Sequence, residues 1–104
     1  MEIYSEQGDI LELTGRIGYV LVLSKDYFNK TGMSIVCPVV RSASKDALHI
    51  PVQTDQIRGI ALCEQMRSID LSARHFKYFG KISYPQIQTV SDVIQSIFDY
   101  YPYG

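Results

Sequence analysis

Apolar residues in this chain come in short bursts divided by polar turns, until a helical spacing takes over in the last twenty positions. Behind Gly8-Asp9, the apolar Ile10, Leu11 and Leu13 flank Glu12 and predict a first strand. Tyr19–Ser24 is rich in Val and Leu without alternation, which predicts a central strand buried on both faces. Lys25–Gly32 holds the turn formers Asp26, Asn29 and Gly32, and Met33–Val40 returns as a third apolar strand. Arg41–Ala47 is polar and small, as a hairpin loop would be. Leu48–Val52 alternates around His49 and Pro51; since proline cannot donate to a ladder, this strand belongs at an edge or carries a bulge. Gly59–Glu64 is a further buried run, with Met66–Ile69 as its continuation. In Ser83-Tyr84-Pro85-Gln86 the spacing is that of a capping box, with Ser83 accepting from an exposed amide and Gln86 reaching back. The helix it opens carries Ile87, Val90, Ile94, Ile97, Phe98 and Tyr101 on one side and stops at Pro102.

Five or six short strands and one C-terminal amphipathic helix predict an α+β fold, a small and strongly bent antiparallel barrel with the helix packed against it. A length of 104 residues with 46% hydrophobic content leaves room for one core, so residues 1–104 are expected to form a single domain. The net charge of −1 excludes a histone-like coat on nucleic acid. Charge is uneven, however: residues 31–84 carry seven basic and four acidic side chains, whereas residues 1–30 carry three and five. Any polyanion surface therefore belongs to the middle segment. Cys37 and Cys63 lie in apolar runs and are expected to be reduced core residues. Two Cys and two His without ligand spacing give no metal site, and no cofactor is expected. The apolar stretch Tyr19–Leu23 is too short to span a bilayer and no basic-then-apolar leader opens the chain, so a cytoplasmic protein without a membrane partner is expected.

Three segments together resemble the MazF/PemK/Kid family of toxins. They are Gly8-Asp9-Ile10; then Val20-Leu21-Val22-Leu23-Ser24 with Asn29-Lys30-Thr31-Gly32-Met33 and Val36-Cys37-Pro38; and finally Gly59-Ile60-Ala61-Leu62-Cys63-Glu64-Gln65-Met66-Arg67-Ser68-Ile69-Asp70 with Ala73-Arg74. The third block is the most specific. The resemblance implies an SH3-like antiparallel β-barrel (CcdB/PemK-like) with a C-terminal α-helix and a homodimer. It also implies metal-independent cleavage of single-stranded RNA as a type II toxin–antitoxin mRNA interferase. Expected partners are a cognate antitoxin with an acidic disordered tail and, indirectly through it, DNA.

Such cleavage needs a base for the 2′-hydroxyl, an acid for the leaving 5′-oxygen, and cationic or N–H donors on the phosphoryl oxygens. The family pattern places an Arg near the start of the second strand, a Thr or Ser after the third and an acid in the third block. Glu64 matches the acid. The first loop is shortened to Thr14-Gly15-Arg16-Ile17-Gly18 and the family's Arg-Pro falls on Gly18-Tyr19, which leaves Arg16 as the nearest cation. The family Thr falls on Val40, and Ser42, next to Arg41, is the nearest hydroxyl. The resemblance thus implies Arg16 and Glu64 as catalytic and Arg41 and Ser42 as substrate-binding residues. Beside these stand plainer readings: Arg16 as a turn arginine, Ser42 as loop polarity, Glu64 in a salt bridge with Arg67 or Arg74, and His49 and His75 as surface residues. Tyr78 and Phe79 beside Lys77 and Lys81 offer base stacking, while Tyr100, Tyr101 and Tyr103 suit packing or dimer contacts. Two alternatives remain open. One is a degenerate relative that only binds antitoxin or nucleic acid. The other is a CcdB-like gyrase poison, against which stands the absence of any Trp near the C-terminus.

Overall fold

In the computed structural model, residues 5–15 and 18–99 are described. Seven strands form one sheet: β1 (Asp9–Leu13), β2 (Gly18–Val22), β3 (Met33–Val40), β4 (His49–Gln53), β5 (Arg58–Leu62), β6 (Arg67–Asp70) and β7 (Phe76–Lys81). Their order is β4-β5-β3-β2-β1-β7, with β6 also paired to β3, and every pairing is antiparallel. Two helices, α1 (Asp26–Asn29) and α2 (Tyr84–Phe98), complete the described architecture, together with two short 3₁₀ turns.

β2 is central and buried on both faces, as its unbroken apolar run predicts. Leu21 faces one core with Ile10, Cys37, Val39, Val52 and Val90, while Val20 and Val22 face a second with Leu11, Leu13, Val36, Ile69 and Leu71. Successive side chains of a strand point to opposite faces, so one strand serves both cores. β4 lies at the edge, where the missing N–H of Pro51 leaves no internal ladder broken. The sheet curls until its ends meet: the Thr54 hydroxyl donates to the Phe79 carbonyl at 2.7 Å. Gly80 permits the approach, since it holds φ +97° and a Cβ there would lie 2.8 Å from Thr54 Cβ.

Several expected details differ. Residues 41–47 do not form a hairpin loop, because β4 pairs with β5 and β5, not β4, pairs with β3. A connection of this length can step over one strand position, and it delivers the proline-bearing strand to the edge. The Lys25–Gly32 turn contains one helical turn, α1, before Gly32. The run from Gly59 does not continue straight into Met66–Ile69: a 3₁₀ turn over Cys63–Gln65 intervenes, and β6 then pairs with the first half of β3. β7 is an additional strand. At α2, Ser83 accepts from the Gln86 N–H at 3.4 Å, but Gln86 Oε1 accepts from Gln53 N instead of closing a reciprocal box. Ile87, Val90 and Ile94 pack on the sheet while Phe98 is exposed. Tyr100, Tyr101, Pro102 and Tyr103 lie outside the described residues. Cys37 and Cys63 are free and fully buried, as expected. No helix among the described residues is long and apolar enough to cross a membrane.

A buried polar knot ties α1 to β3. Asn29 is 1% exposed, and its Nδ2 donates to the carbonyls of Ser5 (3.0 Å) and Ser24 (2.9 Å). Its Oδ1 accepts from the hydroxyls of Ser24 (2.5 Å) and Ser34 (2.9 Å). The Ser34 proton being committed to Asn29, the Ser5 hydroxyl donates to Ser34 Oγ at 2.9 Å. Every capacity of the Asn29 amide is therefore used. Asn29→Ala leaves these groups without partners in a dry site, and a loss of about 2–4 kcal/mol is expected. Urea denaturation checks this; a loss below about 1 kcal/mol would mean that water replaces the amide.

Candidate active site

Glu64 owes its position to the residue before it. Cys63 is fully buried, and its N–H donates to the Leu48 carbonyl at 3.0 Å, so the 3₁₀ turn is anchored beside the start of β4. The next side chain on so tight a turn must face outward, and Glu64 does. The β4–β5 register sets His49 opposite Leu62, two residues before Glu64. His49 Nε2 lies 3.0 Å from Glu64 Oε2, and His49 Nδ1 lies 2.7 Å from the Ser44 carbonyl oxygen. The His49 side chain is 13% exposed and that of Glu64 36%, so the imidazole is sheltered while the carboxylate faces solvent. Neither plainer reading of these residues holds: Glu64 pairs with His49 and not with Arg67 or Arg74, and His49 is not a free surface ring.

The electrostatics of the pair are mutual. The Ser44 carbonyl, and after it the Glu64 carboxylate, raise the pKa of His49 above its ordinary 6.5. The hydrogen bond from His49 leads the causes that hold Glu64 below the usual 4.5. The carboxylate contributes stability above its ordinary titration range and loses it as pH falls through the lowered value. The imidazolium contributes below 6.5 and loses its contribution as pH rises through the raised value. The ion pair is thus complete between those two limits, a window that spans the weakly acidic range.

Arg41 and Ser42 directly follow β3 and are exposed, and their side chains make no hydrogen bond or ion pair to another described residue. The registers locate them. Val39 and Val40 pair with Ala61 and Ile60, while Val36 pairs with Arg67 of β6, so the turn bearing Glu64 lies across from Cys37 and Pro38. Arg41 is three residues beyond Pro38, roughly 10 Å at ~3.3 Å per residue. Arg16 lies outside the described residues. The strands on either side of its loop are placed, however: Leu13 pairs with Gly18, and Tyr19 pairs with Val39. That register continues to set Gly18 beside Val40, so the β1–β2 connection joins the sheet next to the residue preceding Arg41.

Two other features are accounted for by packing. Asp70 Oδ1 accepts from the Ser72 N–H at 3.1 Å and the Ser72 hydroxyl at 2.5 Å, capping the second 3₁₀ turn (Leu71–Ala73). Phe79 meets Tyr19 edge-to-face with centroids 5.3 Å apart, whereas Tyr78 is open to solvent. Among the described residues, no three His, Cys, Asp or Glu side chains gather as a metal site would require.

The family model for the PemK-like, MazF-like toxin of type II toxin–antitoxin systems matches residues 7–98. No curated protein sequence matches significantly. Among solved structures, one MazE–MazF crystal form from Deinococcus radiodurans has a TM-score of 0.82 at 24% identity, covering 93% of this chain and 98% of that one. A second form from the same organism has a TM-score of 0.83 at 21% identity, with 96% and 100% covered. An endoribonuclease in complex with its cognate antitoxin, from a mycobacterial species, has a TM-score of 0.79 at 10% identity, with 94% and 99% covered. At these identities the likeness is one of fold, and it agrees with the SH3-like barrel expected above.

Proposed function

Because this chain belongs to the PemK-like, MazF-like family of toxins of type II toxin–antitoxin systems, we propose that it is a metal-independent endoribonuclease that cleaves single-stranded RNA. The observation that carries the reading is the Glu64–His49 pair, an ionised carboxylate held by an imidazole at the side of β3 that leads to Arg41 and Ser42. Roughly 10 Å of strand between Glu64's turn and Arg41 suits a ribose-phosphate unit better than a single ion.

In the proposed reaction the RNA 2′-hydroxyl loses its proton to the Glu64 carboxylate, whose Oε2 is engaged by His49. The 2′-oxygen then bonds to phosphorus as the bond to the 5′-oxygen breaks. The products are a 2′,3′-cyclic phosphate and a 5′-hydroxyl, the leaving oxygen taking a proton from solvent. Arg16 and Arg41 stabilise charge on the phosphoryl oxygens, and Ser42 donates a hydrogen bond to the backbone. A Glu64 held below 4.5 is fully ionised at neutral pH, and so always ready to act as the base, at the cost of being a weaker one.

The rest of the reading follows the family. Residues 1–104 act as one toxin domain and work in the cytoplasm as a homodimer, for which exposed Tyr84, Ile97 and Phe98 on α2 offer apolar surface. The protein is neutralised by a cognate antitoxin whose acidic tail suits the basic middle segment, and it meets DNA only through that antitoxin. Two solved relatives support this, since the Deinococcus structures hold MazE with MazF and the mycobacterial endoribonuclease is bound to its antitoxin.

Induced expression in a bacterium, with transcript ends mapped, tests the reading. Growth arrest with breaks at one recurring short sequence is the expected result. Arrest with intact transcripts would favour a gyrase poison, and no arrest would favour a binding-only relative.

A further inference from the structure

His49 is held by two oxygens that can only accept. The Ser44 carbonyl faces Nδ1 at 2.7 Å and Glu64 Oε2 faces Nε2 at 3.0 Å. Satisfying both takes two N–H donors when Glu64 is ionised, and a neutral imidazole has one. The ring also joins two separate parts of the site. Ser44 belongs to the 41–48 connection that begins with Arg41 and Ser42, and Glu64 belongs to the turn after β5. Its far end is fastened at Leu48, whose carbonyl accepts from the Cys63 N–H at 3.0 Å and whose N–H donates to Asp46 Oδ1 at 2.8 Å, while the His49 N–H donates to the Asp46 carbonyl at 3.1 Å. Ahead of Asp46, the His49–Ser44 contact is the hydrogen bond that ties the connection to the turn. Residues 41–47 are all exposed, so no core burial fixes them.

We propose that doubly protonated His49 is a positioning residue, a pin that ties the Arg41–Ser42 loop to Glu64 and releases it when the ring gives up one proton to solvent. On deprotonation either Ser44 or Glu64 loses its donor. The Ser44 segment is then no longer held against the carboxylate, and Ser42 and the Arg41 side chain lose that restraint, while the Arg41 backbone stays beside the paired Val40. Among the described residues, the titratable groups facing the ring are Glu64 from the turn, Asp46 from the loop and the Cys63 thiol beneath. Both acids favour the charged ring, and burial opposes it. The consequence for cleavage rests on the ribonuclease reading above; the pin does not.

Titrating the isotopically labelled wild-type protein by NMR, with RNA cleavage measured in the same buffers, tests both. The His49 ring should titrate above 6.5, and the Ser44 and Lys45 amides should shift or broaden with the same midpoint. Glu64→Gln should lower that midpoint. Cleavage should fall about tenfold across the ring's titration, and His49→Gln should lose that alkaline limb, free imidazole restoring part of the rate to His49→Ala. Loop amides indifferent to the His49 titration, or a midpoint unmoved by Glu64→Gln, would overturn the pin. Linked loop and ring titrations in a protein that cuts no RNA at any pH would uphold the pin and overturn the ribonuclease reading alone.

Discussion

Glu64→Gln is expected to lower the rate of RNA cleavage by about 10²–10⁴-fold, the usual contribution of a positioned proton-transfer group. The amide keeps the size of the carboxylate and one acceptor oxygen, so the fold and the His49 contact survive in part. What it cannot do is take the 2′-hydroxyl proton. Because Glu64 is held below 4.5, wild-type activity should stay level as pH falls below the His49 titration and drop only below that ordinary carboxylate range. The variant should lose this acidic limb altogether. Single-turnover rates from pH 4 to 9 check the prediction; a rate within about threefold of wild type at every pH would remove Glu64 from the chemistry.

Arg16→Ala is expected to cost ~10²–10³ in rate at all pH values, because a guanidinium that meets the charge developing on phosphorus does not titrate in this range. Its substrate affinity should change less than its maximal rate, since the charge it stabilises grows only in the transition state. Arg41 provides the comparison. It is exposed beside Val40, next to where the β1–β2 connection enters β2, and it could take the same role. If Arg16→Ala is as active as wild type and Arg41→Ala is inert, the reaction scheme stands with the arginine reassigned.

Much of this architecture was legible in residue pattern. The Val/Leu run of β2 has no alternation because it feeds two cores, and Pro51 marks β4 as an edge strand for want of an N–H. What pattern could not give was strand order. Whether β4 lies beside β3 or beyond β5 depends on closure of the whole barrel, through contacts such as Thr54 to Phe79, and not on any local signal. The site suffered for the same reason. Glu64 was readable as an acid at a strand end, but its partner was not, because His49 and Glu64 are 15 residues apart and meet only through the β4–β5 register. A signal was present: the four residues Thr54–Ile57 between the paired Gln53 and Arg58 form a turn, and counting outward from it brings His49 to Leu62. β7 was hidden by Gly80 and by the exposed Lys77 and Lys81 in a short segment. Arg16 lies outside the described residues, and its role rests on the resemblance alone.

Cleavage of RNA by attack of its own 2′-hydroxyl is the reaction expected of this site. Purified protein incubated in EDTA with a long single-stranded RNA, followed by end-group analysis of the fragments, tests it most directly. Fragments bearing 2′,3′-cyclic phosphate and 5′-hydroxyl ends, absent with Glu64→Gln, are the predicted result. Intact RNA, or fragments with 5′-phosphate and 3′-hydroxyl ends, would contradict it.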